Sequence, residues 1–303
     1  MQGFLNLNKP AGFTSHDCVA KVRRSLQMKR VGHGGTLDPA ATGVLPIALG
    51  RATRLLQYLR QDKAYRATVR LGMATTTDDL EGETILTQPV PDLSLETVRE
   101  ALQAFQGKIQ QIPPNYSAIQ VQGQRLYDRA RRGESIAALP RSVEVFGLEV
   151  LEWRGGAFPE VELAIGCGPG TYIRSIARDL GTALHTGGVL TALSRTASCG
   201  LHLADSLNFA DLEAQLAHGH FAPIPPAALL SHLRSVALSA DKARRWCQGQ
   251  RIIAEAEATV PDPLGEPAIV QVYNQDGQFL GIGQWVTAAE GILLVPQMVF
   301  QEG

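Results

Sequence analysis

The residues best placed to do chemistry gather around Asp38. It lies in Val31-Gly-His-Gly-Gly-Thr-Leu-Asp38-Pro-Ala-Ala-Thr-Gly-Val-Leu-Pro46, and no other carboxylate occurs between Asp17 and Asp62. Gly32, Gly34, Gly35 and Gly43 permit positive φ or a close backbone approach to a ligand. Pro39 fixes the chain just after Asp38 and biases that aspartate away from the α region. Lys29 and Arg30 precede the segment, and Arg51 and Arg54 follow it. A carboxylate on a rigid Gly/Pro loop in basic surroundings suits an enzyme whose acid works on an anionic polymer. The same residue types also make an ordinary polar turn, with Asp38 capping a helix or pairing with an arginine.

Other constellations carry less. Ser15, His16 and Asp17 are adjacent on one turn and cannot form a hydrolytic triad. The acids of Ala74-Thr-Thr-Thr-Asp-Asp-Leu-Glu-Gly82 lack the alternating ligands and terminal glutamate of a calcium loop. His218 and His220 have no third ligand, so no metal site is expected. Cys18, Cys167, Cys199 and Cys247 are far apart with no Cys-x-x-Cys, which makes buried free thiols the expectation. His33, between glycines, reads as a hydrogen-bonded loop residue, and Tyr65 as a strand aromatic facing the core. Arg174 reads as a surface cation or a partner of Asp179, although its loop-to-helix start donates N–H groups where anions bind. Arg125, Arg129, Arg131 and Arg132 cluster with Tyr116 and Tyr127, a pattern that grips phosphates and stacks on bases.

The elements that must position these residues are legible in outline. Phe4 to Pro10 reads as a short strand entering a turn. Thr14 with Asp17 makes a capping-box-like helix start, and Val19, Val22 and Leu26 give that helix a buried stripe. Val44 to Leu49 suits a buried strand. Gly50 then opens a helix carrying Leu55, Leu56 and Leu59. From Asp62 to Gly72 the chain alternates, with Tyr65, Ala67, Val69 and Leu71 on one side and Arg66, Thr68 and Arg70 on the other, which predicts a half-exposed strand. Leu95, Val98, Leu102 and Phe105 mark an amphipathic helix stopped by Gly107. Strands are expected over 143–151 and 161–165. A helix follows with Ile173, Ile176, Ala177 and Leu180 buried and Gly181 as its stop. From about Ser231 the pattern shifts to short strands, with a hairpin turning at Asp276-Gly277.

The chain's 303 residues suffice for two domains, and 45 % hydrophobic with 19 % charged residues is ordinary for a globular protein. The net charge of −1 hides an asymmetry. Residues 1–72 hold twelve Lys/Arg against three Asp/Glu, and residues 73–303 hold sixteen against twenty-six. Such a split admits nucleic acid as a partner, or only solvated helix faces. With no apolar run of roughly 18 residues and no basic, apolar leader, the reading places the chain in the cytoplasm and off membranes.

Together these motifs, in this order, resemble the bacterial pseudouridine synthases of the TruB type, which act on uridine 55 in the T-loop of tRNA. The Asp38 segment resembles the family's catalytic motif, and Lys9-Pro-Ala-Gly-Phe-Thr-Ser15 its first motif. Gly170-Thr-Tyr-Ile-Arg174 resembles the third, and Leu190-Thr-Ala-Leu-Ser-Arg195 the one after it. The resemblance spans roughly residues 4–200. It implies Asp38 as the catalytic carboxylate paired with Arg174, Tyr65 stacking on the target uracil, and Tyr172 and Leu193 lining its pocket. It implies that His33 fills the space the flipped base leaves. Residues 111–140 resemble the family's RNA-clamping thumb, although the family often has a lysine where Gln120 stands.

The implied fold is α/β (α+β): a mixed, largely antiparallel sheet flanked by helices over residues 1–230, then a small β-rich, PUA-like RNA-binding domain over 231–303. The implied partner is the T-arm of tRNA, with no cofactor, no metal and no obligate protein partner, and a monomer is expected. Isomerising uridine changes no oxidation state, and the sequence lacks a Walker loop, a Rossmann fingerprint and a zinc-deaminase signature. Arg174 is expected to favour the ionised form of Asp38 against desolvation. Whether Asp38 attacks C1′, attacks C6 or first helps remove the 2′ proton stays open at this level. So does the choice between Tyr65 and Asp38, acting through water, for the C5 proton. Two rival readings are a synthase working within a guide-RNA complex and a T-arm folding chaperone without chemistry.

Overall fold

The computed structural model describes residues 1–114, the strand residues 120–121 and 124–125, and residues 139–253, 268–288 and 291–300. The first two-thirds of the chain builds one mixed sheet with helices on its faces. In order come β1 (Gly3–Lys9), α1 (Ser15–Ser25), β2 (Val31–His33), β3 (Thr42–Leu49), β4 (Lys63–Leu71), β5 (Met73–Thr75), β6 (Thr84–Thr87), α2 (Leu95–Leu102) and β7 (Gly107–Gln111). A short pair, β8 (Gln120–Val121) and β9 (Gln124–Arg125), is followed by β10 (Arg141–Arg154), β11 (Glu160–Cys167), α3 (Ile173–Ala183), β12 (Gly188–Ser198), β13 (Leu201–His202) and α4 (Phe209–Ala217). The sheet runs β1-β3-β12-β4-β11-β10-β7, with β2 on β3 and β13 on β12. Among these pairings only β3 with β12 is parallel.

Local signals produced much of this. Thr14 caps α1 by accepting from the Asp17 N–H, and the Asp17 carboxylate accepts from the Thr14 N–H. Cys18, Val19 and Val22 are buried from that helix, against Leu5, Leu7, Leu45 and Ile47 of the sheet. Each fully buried Val or Leu contributes about 1.5–3 kcal/mol. On the other side, α3 buries Ile173, Ile176, Ala177 and Leu180 against Val69, Leu71, Leu163 and Ile165. The alternation in β4 holds, with Tyr65, Ala67, Val69 and Leu71 buried and Arg66 exposed, although Thr68 is buried as well. The segment opened by Gly50 is a 3-10 helix over Gly50–Tyr58, burying Leu55 and leaving Leu56 half-buried.

Gly181 departs from expectation. It does not stop α3, which continues to Ala183. A Cβ at 181 would lie 2.0 Å from the Gly188 backbone N, so this glycine serves a close crossing of helix and chain. Gly43 is similar: its φ is +103°, and a Cβ there would lie 2.2 Å from the Arg195 carbonyl oxygen. Gly43→Ala combines an unfavourable φ with overpacking between β3 and β12. We expect it to destabilise the fold by about 3 kcal/mol or more, measured by urea unfolding. A loss under about 0.5 kcal/mol would show that the two strands can separate freely.

The C-terminal unit is β-rich: β14 (Arg234–Leu238), α5 (Ala240–Cys247), β15 (Ile252–Ile253), β16 (Ile269–Asn274), β17 (Phe279–Ala288) and β18 (Gly291–Val299). Its sheet runs β14-β16-β17-β18-β15 around a fully buried Trp246. The β16–β17 hairpin turns at Asp276-Gly277 with Gly277 at φ +77°, and Asn274 Oδ1 accepts from the Gln278 N–H at 2.8 Å. Ile282 and Met298 share a core cluster with Phe4, Val44, Leu229 and Leu230, so this sheet packs on the first unit. No helix among the described residues is long and apolar enough to cross a membrane.

Candidate active site

A cavity of about 530 Å³ opens where the β2–β3 loop meets the start of α3. Asp38, Tyr65, Tyr172, Arg174 and Leu193 all line it. Five of the residues singled out from sequence thus come together from four separate chain segments.

The loop bearing Asp38 is pinned along its length. Gly34 N donates to Pro46 O at 2.8 Å. Ser15 Oγ accepts from Leu37 N at 2.9 Å, and Leu37 itself is buried. Pro39 O accepts from Gly12 N at 2.9 Å and from Lys9 Nζ at 3.0 Å. The Arg195 guanidinium donates to Gly35 O at 3.1 Å and Thr36 O at 3.4 Å. Ser15, Lys9 and Arg195 are all buried, and residue types alone did not single out any of them for this work. Lys9 Nζ also donates to Pro10 O and Phe13 O, and Arg195 Nε to Val44 O, and such a cluster of buried, satisfied polar groups is a device for rigidity.

Arg174 is no surface cation: its side chain is 6 % exposed. Nor does it pair with Asp179, which takes Arg178 Nε at 2.8 Å. Instead Arg174 Nε meets Asp38 Oδ2 at 3.0 Å, and Nη2 donates to Oδ1 at 3.3 Å. Its Nη1 lies 3.6 Å from Asp79 Oδ2 and donates to Thr77 O at 3.3 Å. A planar guanidinium can grip a carboxylate at two points in this way; an ammonium cannot.

The acid-rich loop after β5 has a structural part that residue types did not reveal. Asp79 Oδ1 accepts from Thr77 Oγ1 at 2.5 Å and from Glu81 N at 3.0 Å, which leaves Oδ2 for Arg174. Asp78 binds Arg178 Nη1 at 2.9 Å. Two successive turns of α3 therefore hold this loop through two arginines. The signal in the sequence is the acid pair itself, Asp78-Asp79, facing arginines four residues apart on α3.

Electrostatics refine the expectation for Asp38. Arg174 pulls its pKa down as anticipated, but desolvation by burial is larger and Asp79 adds to it, so the pKa lies above the ordinary carboxylate value. Tyr65 is 7 % exposed, and burial pushes its phenol up to about 12, so the hydroxyl keeps its proton at neutral pH. Glu81 also lines the cavity and is raised by burial, then by Asp79 and Asp38.

His33 lines a neighbouring cavity of about 450 Å³ that shares Gly35 and Lys63 with the first. Its ring stands edge-on to His16 at 5.3 Å, and His16 lines the main cavity. Burial lowers the His33 pKa, so the imidazole is held neutral. Arg129, Arg131, Arg132, Tyr116 and Tyr127 lie outside the described residues.

Comparison with known proteins identifies the family. Residues 23–173 match the TruB family pseudouridylate synthase N-terminal domain, and residues 235–300 match the C-terminal domain of pseudouridine synthase II TruB. The chain is 59 % identical over 302 residues to the tRNA pseudouridine synthase B of Trichormus variabilis, covering 99 % of both chains. It is 51 % identical over 301 residues to that of Gloeobacter violaceus, again covering 99 % of both. Among solved structures it resembles a chain of a Cbf5-Nop10-Gar1 complex, with TM-score 0.75, 26 % identity, and coverage of 99 % of this chain and 85 % of that one.

Proposed function

The chain belongs to the TruB family of pseudouridylate synthases, and from that premise we propose that it isomerises uridine 55 in the T-loop of tRNA to pseudouridine, with Asp38 as the reacting carboxylate. The observation that carries this reading is the two-point grip of Arg174 on Asp38 at the floor of a cavity walled by Tyr65, Tyr172 and Leu193.

The reaction breaks N1–C1′, turns the base and forms C5–C1′, and no electron carrier takes part. The target uridine must first leave its stack, at a cost of a few kcal/mol. Tyr65, Tyr172 and Leu193 offset that cost by stacking and burial. His33 moves into the gap, as a neutral imidazole at the rim of the adjoining cavity. Arg174 occupies one side of the Asp38 carboxylate and sets the direction of its remaining lone pairs. Tyr65, held as a phenol, enters the reaction as a hydrogen-bond donor. That favours Asp38, once it has parted from the sugar or base, as the group taking the C5 proton through water.

Raised above the carboxylate norm, Asp38 gives activity an acid limb above the pH expected of a free aspartate. Asp79 raises the Asp38 pKa by like-charge repulsion, so removing its charge lowers that pKa. Asp79→Asn should move the acid limb of kcat/KM to lower pH, besides lowering kcat by loosening Arg174. A limb that stays in place in a full pH profile would detach Asp79 from Asp38 electrostatically.

Residues 111–140 serve as the RNA clamp in this reading, residues 1–230 as the catalytic domain and 231–303 as an RNA-binding domain. Neutralising Arg129, Arg131 and Arg132 together should reduce the slope of log Kd against log salt by about 2–3. An unaltered slope would mean that these side chains do not meet phosphate.

The similarity to a chain of a Cbf5-Nop10-Gar1 complex favours, as the rival reading, a synthase that works within a larger complex. The 59 % identity over 302 residues to a relative named tRNA pseudouridine synthase B favours tRNA as the substrate, and in this reading the chain acts as a monomer in the cytoplasm. Incubating the purified chain alone with a T-arm transcript, followed by chemical mapping of pseudouridine, tests this. Modification at position 55 alone, lost when that uridine is changed to cytidine, is expected. Modification elsewhere, or only with a guide RNA added, would overturn it.

A further inference from the structure

The two cavities at this site meet at a seam made by Gly35 and Lys63, which line both. Gly35 has φ +116°, and a Cβ on it would stand 3.7 Å from Lys63 Cε, so the lysine stem lies against a residue with no side chain. Lys63 opens β4, where its backbone is paired with Cys167 of β11 and Ser198 of β12. Tyr65, two residues on, faces the same side of the strand. Lys63 is half-buried, and its Nζ donates to Gln61 O at 3.2 Å. Among the described residues it makes no ion pair: Asp62 beside it is held by Arg60 Nε at 3.0 Å.

A half-buried ammonium without an anion is costly. Burial, and after it the Arg195 guanidinium, oppose its protonated form. An anion seated in the seam would relieve both. The rest of the first cavity repels one, because its lining includes Asp38, Asp79 and Glu81. The other Lys or Arg of that lining, Arg174, is engaged by Asp38 and Asp79. A phosphate entering the first cavity therefore meets three carboxylates unless it stays at the seam.

The proposed reaction brings a phosphate to this place. The uracil enters the first cavity beside Tyr65, while His33, which lines the second, takes the position the base has left. The strand carrying the uridine then runs between the two cavities, and Gly35 and Lys63 are what the cavities share. We propose that Lys63 binds the backbone phosphate joining the flipped uridine to its neighbour in the T-loop, with Gly35 leaving room for that phosphate to approach. This rests on the synthase reading. It separates the work of two cations: Arg174 orients the reacting carboxylate, and Lys63 holds the strand on which the uridine swings.

The test is equilibrium binding of the full chain to a T-arm stem-loop, with a neutral methylphosphonate placed in turn at each phosphate flanking the target uridine. Lys63→Met should bind the unmodified stem-loop about tenfold more weakly, the loss of one charged hydrogen bond. Its plot of log affinity against log salt should be shallower by about 0.7, the share of one phosphate on a single strand. Lys63→Arg, which keeps the charge, should stay within about threefold of wild type. At one of the two positions the methylphosphonate should cost wild type about tenfold and Lys63→Met less than about twofold, because both changes remove the same contact. Equal costs in the two proteins at both positions, or no cost to wild type at either, would overturn the proposal. Should Lys63→Met not fold, Lys63→Gln takes its place, and an absence of any cost to wild type still overturns the proposal without a variant. A wild type that binds with this pattern yet forms no pseudouridine would instead sink the synthase reading and leave the phosphate contact standing.

Discussion

Replacing Asp38 with asparagine should lower single-turnover pseudouridine formation by on the order of 10⁴-fold or more, with RNA affinity within about threefold of wild type. The substitution is nearly isosteric. The loop stays pinned, because Ser15, Lys9, Gly12 and Arg195 hold its backbone and not the Asp38 side chain. What disappears is the anionic oxygen. An amide offers one acceptor and a poor nucleophile, and its NH₂ would face the donors of Arg174. In the proposed complex binding energy comes mainly from stacking and phosphate contacts, none of which requires the Asp38 charge. A variant that retained turnover would remove Asp38 from the chemistry. One that lost binding and turnover in parallel would make it a structural or contact residue.

Arg174→Lys should cost roughly 10²- to 10³-fold in kcat with KM little changed. An ammonium reaches one Asp38 oxygen where the guanidinium reaches two, and it cannot also serve Asp79 and Thr77 O. Arg174→Met goes further and leaves Asp38 and Asp79 near each other without a counter-charge. Since Arg174 pulls the Asp38 pKa down, its removal must push that pKa up, so the acid limb of activity should move to higher pH. Arg174→Lys should leave that limb nearer its wild-type position because the charge survives. Unchanged kinetics in the lysine variant would mean that fork geometry has no part in the reaction.

These contacts explain why some of the molecule was legible in the sequence and some was not. The Thr14–Asp17 capping box spans three residues, and local spacing reveals it. The same holds for the stripe of α3 and the alternation of β4, each created by burial on one face. The opposite case is Gly181, where a local rule predicted a helix stop. The reason for that glycine lies in Gly187 and Gly188, which the fold brings against it. Arg174 fails local reading in the same way. Its sequence neighbour Asp179 belongs to Arg178, while its own partner is 136 residues away. Only the resemblance of several motifs in order linked Arg174 to Asp38. Ser15, Lys9, Asp79 and Arg195 show the limit of reading residue types alone, although Lys9, Ser15 and Arg195 lie within motifs of the resemblance. Each is an ordinary residue type that gains its role from backbone carbonyls, N–H groups or arginines supplied by another segment.

If Asp38 carries out uridine isomerisation in a T-arm substrate, C5 loses its hydrogen only when that carboxylate is present, and tritium release from C5 reports the loss. A minimal T-arm stem-loop bearing C5-tritiated uridine, incubated with the purified chain alone, should release its tritium with wild type and none with Asp38→Asn. Equal release by both proteins, or none from wild type while the stem-loop stays bound, would contradict the account.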